Sequence, residues 1–193
     1  MGPAASRHCG GAAGFLRDLP PGGNLGRMQY ARIIALCIAA ACVYGIVQDQ
    51  VTARICVEYF TIGHPPIFAT ESPTLLGLGW GILATWWVGA ILGVALALCA
   101  RAGRAPKLAA ADLLRPVGLL MVAIALLALV GGIVGYLLAR SGAIGLYGPL
   151  DAGVPADRQV AFLADLWAHC AAYLAGFVGG IVLCVRTARR RRR

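Results

Sequence analysis

Apolar and polar positions along this chain separate into blocks. Four apolar runs, at 33–47, 75–99, 117–138 and 162–185, are divided by connections that carry almost all the charge. Crossing a hydrocarbon core takes about 20 helical residues, so each run is predicted to be a membrane span. The run at 75–99 carries no charged residue and is long enough to cross with tilt. The run at 33–47 is short, and borrows 30–32 and 48–50 as ends whose polar groups reach back to the interface. The same run also fits a secretory signal, with Arg27 and Arg32 as its basic region. Pro116 is expected to open the third span, where a missing N–H costs nothing.

The pattern therefore predicts an all-α polytopic membrane protein. Its architecture is a four-transmembrane-helix bundle with a partly ordered outer connection between helices 1 and 2. The membrane domain covers 28–187. Residues 1–27, rich in Gly, Pro and Ala and without apolar period, are expected to be a disordered tail or to precede a true start at Met28. Residues 188–193 form a basic cytoplasmic tail.

Small residues recur every four positions within the runs. Gly77, Gly81, Thr85, Gly89, Gly93 and Ala97 make one ridge. Ala128, Gly131, Gly132 and Gly135 mark the third span, and Ala168, Ala172, Gly176 and Gly180 the fourth. Residues four apart share a helical face. Lipid supplies no hydrophobic drive between helices, so close backbone approach along such faces holds a bundle together. The same faces also suit a homo- or hetero-oligomer.

Composition narrows the class. Hydrophobic residues make up 60% of the chain and charged ones 13%, against roughly 25% charged in soluble domains. A water-exposed fold of this length has too little interior for so much apolar side chain. The net charge of +9 sorts by side. Arg7, Arg17, Arg27 and Arg32 precede the first span. Arg101, Arg104, Lys107 and Arg115 fill the middle connection, and Arg186 and 189–193 end the chain. The other two connections hold only Arg54, Arg140 and Arg158, together with most of the acids. The positive-inside bias then predicts both termini and the middle connection in the cytoplasm, and the expected location is a bacterial-type inner (plasma) membrane. The C-terminal arginines are expected to meet anionic lipid headgroups, at about 1 kcal/mol each. No nucleic-acid partner is expected. Of the seven cysteines, none forms a CxxC pair, and Cys56 and Cys170 fall on the outer side, where one disulfide can form.

The connection 48–66 is too polar to face lipid and too apolar for an idle loop. Val51, Ala53, Ile55, Val57 and Tyr59 alternate with polar residues as in a strand, whereas Gln50, Arg54 and Glu58 are spaced as on a helix. A helix continuing out of the first span is favoured, because a lone strand has unpaired edges. Gly63 and Pro65-Pro66 are expected to end it. The segment 49–66, DQVTARICVEYFTIGHPP, resembles one found in uncharacterised small multi-pass bacterial membrane proteins. The resemblance is confined to this segment and implies no activity.

Candidate chemistry gathers on the outer side. Asp165 and His169 share a face of the fourth span, where an ionisable group needs a partner. The first connection supplies Asp49, Arg54, Glu58 and His64 on the same side. The six residues are expected to form one polar site through docking of the connection on the fourth span. Glu58, His64, Asp165 and His169 carry the nitrogen and oxygen donors that bind a transition metal, although no HExxH or paired ExxH motif is present. A bis-histidine haem on His64 and His169, proton handling by Glu58 or His169, and a purely structural salt-bridge network are the other readings. No nucleotide-binding glycine loop or nucleophile motif occurs. The expectation is a structural or accessory membrane protein. A membrane metal-binding protein or enzyme and a subunit of an oligomeric transporter are the alternatives.

Overall fold

The structure is a computed structural model that describes residues 23–192. Among these residues there is no strand. Seven helices follow in order: α1 (Gly23–Ile55), α2 (Glu58–Thr61), α3 (Pro73–Leu83), α4 (Trp86–Arg101), α5 (Ala111–Arg140), α6 (Pro149–Gly153) and α7 (Gln159–Arg190). Four stretches are long and apolar enough to cross a membrane: Gly26–Ile55, Pro73–Arg101, Ala111–Arg140 and Gln159–Arg190. This is a multi-pass, four-helix membrane bundle. Most of the expected tail at 1–27 lies outside the described residues, and 23–27 already belong to α1.

The four spans form two antiparallel hairpins. In the first, the glycine ridge of α3 and α4 lies against α1. A Cβ on Gly89 would fall 2.7 Å from the Cys37 carbonyl oxygen and 2.8 Å from the Ile38 Cα. Gly81 sits equally close to the Ile46 backbone. In the second hairpin, Gly131 and Gly135 of α5 meet Ala171 and Trp167 of α7. The small-residue faces predicted from spacing are thus used within the chain, between spans that follow one another in sequence.

Two boundaries differ from the expectation. The second span is broken at Ala84–Thr85: the Thr85 N–H turns to the Ile82 carbonyl, and its hydroxyl takes the Gly81 carbonyl at 2.5 Å. A threonine that back-bonds in this way bends a helix while keeping its carbonyls satisfied. Pro116 does not open the third span but lies inside α5. The helix starts earlier because two side chains hold the turn that leads into it: Asp112 accepts from Ala109 N–H, and Gln29 from Ala110 N–H. The first span runs beyond its apolar core at both ends, as the borrowed polar ends predict. Asp49, Gln50 and Arg54 remain helical because each finds a polar partner.

The end of the bundle that carries both described termini is tied by Arg191. Its buried guanidinium donates to the carbonyls of Pro106, Cys99, Ala102 and Ala105. Arg191 therefore clamps the α4–α5 connection, while Arg186, Arg189, Arg190 and Arg192 are exposed. The opposite end, called here the connection end, holds 56–72 and 141–158. Its core packs Cys56, Tyr59 and Phe60 against Leu76, Trp80 and Phe162.

Candidate functional site

At the connection end α1 runs on as a helix past the apolar run, as predicted, and stops at Ile55. Arg158, directly before α7, donates to the exposed Ile55 carbonyl at 2.9 Å, a cation at a helix C-terminus. The same guanidinium holds Glu58 at 3.1 Å. Glu58 also accepts the Cys56 thiol at 3.3 Å. Burial works against the Glu58 carboxylate, but the backbone N–H at the start of α2, the thiol and Arg158 outweigh it and hold its pKa below the usual value. Burial, reinforced by the bond to Glu58, pushes the Cys56 thiol up to about 12. Cys56 and Cys170 are both free: Cys56 is buried in this contact and Cys170 is exposed on α7. The disulfide that the sequence allows between them is not formed.

One turn nearer the middle of the bundle, Asp49 of α1 meets His169 of α7, Oδ1 to Nε2, at 3.1 Å. His169 Nδ1 lies 2.8 Å from the Asp165 carbonyl. A carbonyl can only accept, so Nδ1 carries hydrogen. The Asp49 contact then contains one further proton, shared between carboxylate and imidazole. The Tyr59 ring stacks on His169 at 4.6 Å and meets His64 edge-on at 5.0 Å. His64 Nδ1 lies 2.8 Å from the Tyr59 carbonyl. Burial pushes the His64 pKa down, ahead of an opposing contribution from that carbonyl, so this imidazole is neutral at pH 7 with its hydrogen on Nδ1.

The docking of the first connection on the fourth span is therefore present, with other pairings than expected. Asp49 takes His169, and Glu58 takes Arg158. His64 bonds the Tyr59 backbone. Arg54 turns away to Gln50 and Thr74, at 2.7 and 2.9 Å, and leaves the cluster. Asp165 is 1% exposed, and its Oδ2 has no hydrogen-bond partner. None of Arg54, Glu58 or His64 bonds Asp165 or His169 directly. Among the described residues no group of three His, Cys, Asp or Glu is placed to hold a metal. The set Glu58, His64, Asp165 and His169 is kept apart because Glu58 is drawn to Arg158 and the Tyr59 ring packs against both imidazoles. The same ring fills the space that a haem between His64 and His169 would need.

Arg158 and Tyr59 were not singled out by sequence reasoning. Arg158 stood as an ordinary connection charge, although a lone base just before a span that carries a buried acid was a usable signal. Tyr59 read only as an apolar residue in need of burial.

Below this cluster a groove of about 670 Å³ lies between the two hairpins. Its walls are α1 and α4 on one side and α5 and α7 on the other. Leu92, Leu120, Ile124 and Gly176 line it, and Asp49, Gln48, Tyr59, His64 and His169 close its connection end. Trp87 and Ile91 of α4 and Phe177 and Ile181 of α7 line it while remaining exposed on the outer surface of the spans. The groove thus opens sideways, between α4 and α7, onto the face a bilayer covers. No family model, curated protein or solved structure matches this chain.

Proposed function

We propose that this protein is a non-enzymatic accessory protein of a bacterial-type inner membrane that holds a single-chain amphiphile between its two hairpins. The groove carries the reading. Its volume falls within the roughly 300–1,000 Å³ of sites that enclose small ligands. Apolar walls with a few polar groups at one end match a molecule with one hydrocarbon chain and a small head. Access from the lipid-facing side suits a ligand drawn from the bilayer. Both termini are cytoplasmic in this reading, supported by the Lys/Arg bias, and the exposed Arg186, Arg189, Arg190 and Arg192 meet anionic headgroups.

The test is to fill the groove. An added Cβ at Gly176 meets nothing closer than Ile124 Cδ1 at 3.6 Å, so Gly176→Leu enters the groove without forcing backbones apart. Native mass spectrometry of the purified protein should show a retained single-chain lipid on the wild type and its loss from Gly176→Leu at unchanged thermal stability. Equal retention by both proteins would refute the groove as a binding site.

A further inference from the structure

The polar end of the groove has its own hydrogen-bond pattern, and this selects a head group. Arg101 Nε and Asp165 Oδ2 are the side-chain atoms fully buried without a partner among the described residues. His64 Nε2 and Tyr59 Oη make no hydrogen bond and are not among these fully buried atoms. Both residues line the groove. The Tyr59 carbonyl fixes the His64 hydrogen on Nδ1, so the neutral ring offers a lone pair at Nε2. The Tyr59 hydroxyl can donate. One acceptor and one donor are therefore free on two residues that line the head of an apolar groove, with ring centres 5.0 Å apart.

Charge argues against an anionic head. The three arginines of this end have partners, Arg54 in Gln50 and Thr74, Arg140 in the Tyr136 hydroxyl, and Arg158 in Glu58 and the Ile55 carbonyl. Asp49 and His169 at this end are taken up with each other, and the His64 lone pair repels a phosphate or carboxylate. An ether or ester head lacks the hydrogen that His64 Nε2 would accept.

Building on the groove as a lipid site, we propose that it takes a hydroxyl-headed single-chain lipid, a long-chain alcohol or a prenol. Its O–H donates to His64 Nε2, its oxygen accepts from Tyr59 Oη, and its chain lies between the hairpins against Leu92, Leu120 and Ile124. The alcohol enters between α4 and α7 with its chain already in hydrocarbon, so only the head exchanges partners.

Trp80 and Trp87 line the groove, so quenching of their fluorescence by a brominated chain reports occupancy. The protein in lipid nanodiscs is titrated with a brominated long-chain alcohol and with its methyl ether. The alcohol should bind about tenfold more tightly, the size of one buried hydrogen bond left unmade. His64→Phe keeps an aromatic ring against Tyr59, Phe60 and Trp80 and should abolish this preference. Should that variant fail to fold, Tyr59→Phe removes the donor and should reduce alcohol affinity several-fold. Displacement of the probe by an all-trans prenol, against displacement by an unbranched alcohol alone, identifies which chain the walls accept.

A pH series adds a readout that packing alone would not move. Protonated His64 can donate to an ether, so the preference for alcohol should fade as the pH falls through the His64 titration. The titratable groups facing it, Tyr59 on α2, Asp49 on α1 and His169 on α7, are present in alcohol and ether titrations alike. Equal binding of alcohol and ether to the wild type overturns the head-group assignment. If Gly176→Leu weakens both ligands in that case, the groove itself stands. If Gly176→Leu changes neither, both readings fall.

Discussion

His169 bridges two spans through one shared proton, and Asp49 is 5% exposed. Removing either partner leaves the other buried and unpaired, which is costlier than removing both. Asp49→Asn and His169→Ala should therefore be strongly non-additive in thermal unfolding, with a coupling of about 0.5–3 kcal/mol. Additivity would mean that the pair does not form. The connection residues carry a pH signature. Glu58 titrates lower in the folded state, so its contribution is complete above the ordinary carboxylate value of 4.5 and is lost as the pH falls through its depressed folded value. His64 is also depressed, from 6.5. As the pH falls below 6.5 the unfolded chain takes up a proton that folded His64 refuses, and stability drops until the folded value is passed. The melting temperature should decline from about pH 6.5 downward, and His64→Phe should flatten the upper part of that decline. An unchanged slope in the variant would contradict the buried, neutral His64.

Between helices, close approach dominates. Gly89 faces the α1 backbone with no room for a Cβ, so Gly89→Leu should cost at least the ~1–3 kcal/mol of overpacking. Val94, 48% exposed on the same helix, serves as control, and Val94→Ala should be nearly silent in a detergent-stability assay. Equal tolerance of both substitutions would remove the α1–α4 seam. Period-four spacing made this ridge legible, because small side chains serve no other purpose on a lipid-facing helix. It did not reveal that α1 is the partner, since α1 has few glycines of its own and reads as featureless. The helix starts were less legible: Asp112 and Gln29 reach α5 from positions whose capping role depends on how the chain returns. Arg191 is the clearest such case. The sequence places it among arginines expected to meet lipid headgroups, yet it holds the Cys99 carbonyl at the end of α4 and three carbonyls of the α4–α5 connection. Charge-assisted hydrogen bonds contribute roughly 1.5–3 kcal/mol each. Arg191→Ala should lower stability by at least about 2 kcal/mol, and Arg192→Ala, which is exposed, should not. Matching melts for the two variants would dismiss the clamp.

For the whole molecule, orientation is the property open to direct test. The Lys/Arg bias predicts that reporter fusions after Ala110 and after Arg193 read cytoplasmic and that one after Asp151 reads external. An external signal after Ala110 would invert the topology and place the polar end of the groove inside the cell.

The number of spans and the small-residue faces of the last three follow from the sequence alone, because hydropathy and period-four spacing are properties of each segment by itself. The identity of the polar cluster was legible in part for the same reason. Asp49, Glu58, His64, Asp165 and His169 all belong to the connection end, since each stands at the margin of an apolar run. Which of them pair was decided only by tertiary structure. A hydrogen bond depends on tenths of an ångström, and these are set by where the α1 helix ends, how α2 folds back, and how far the two hairpins stand apart. The groove exists only as the gap between hairpins, lined by residues from every span, and no single segment carries its shape.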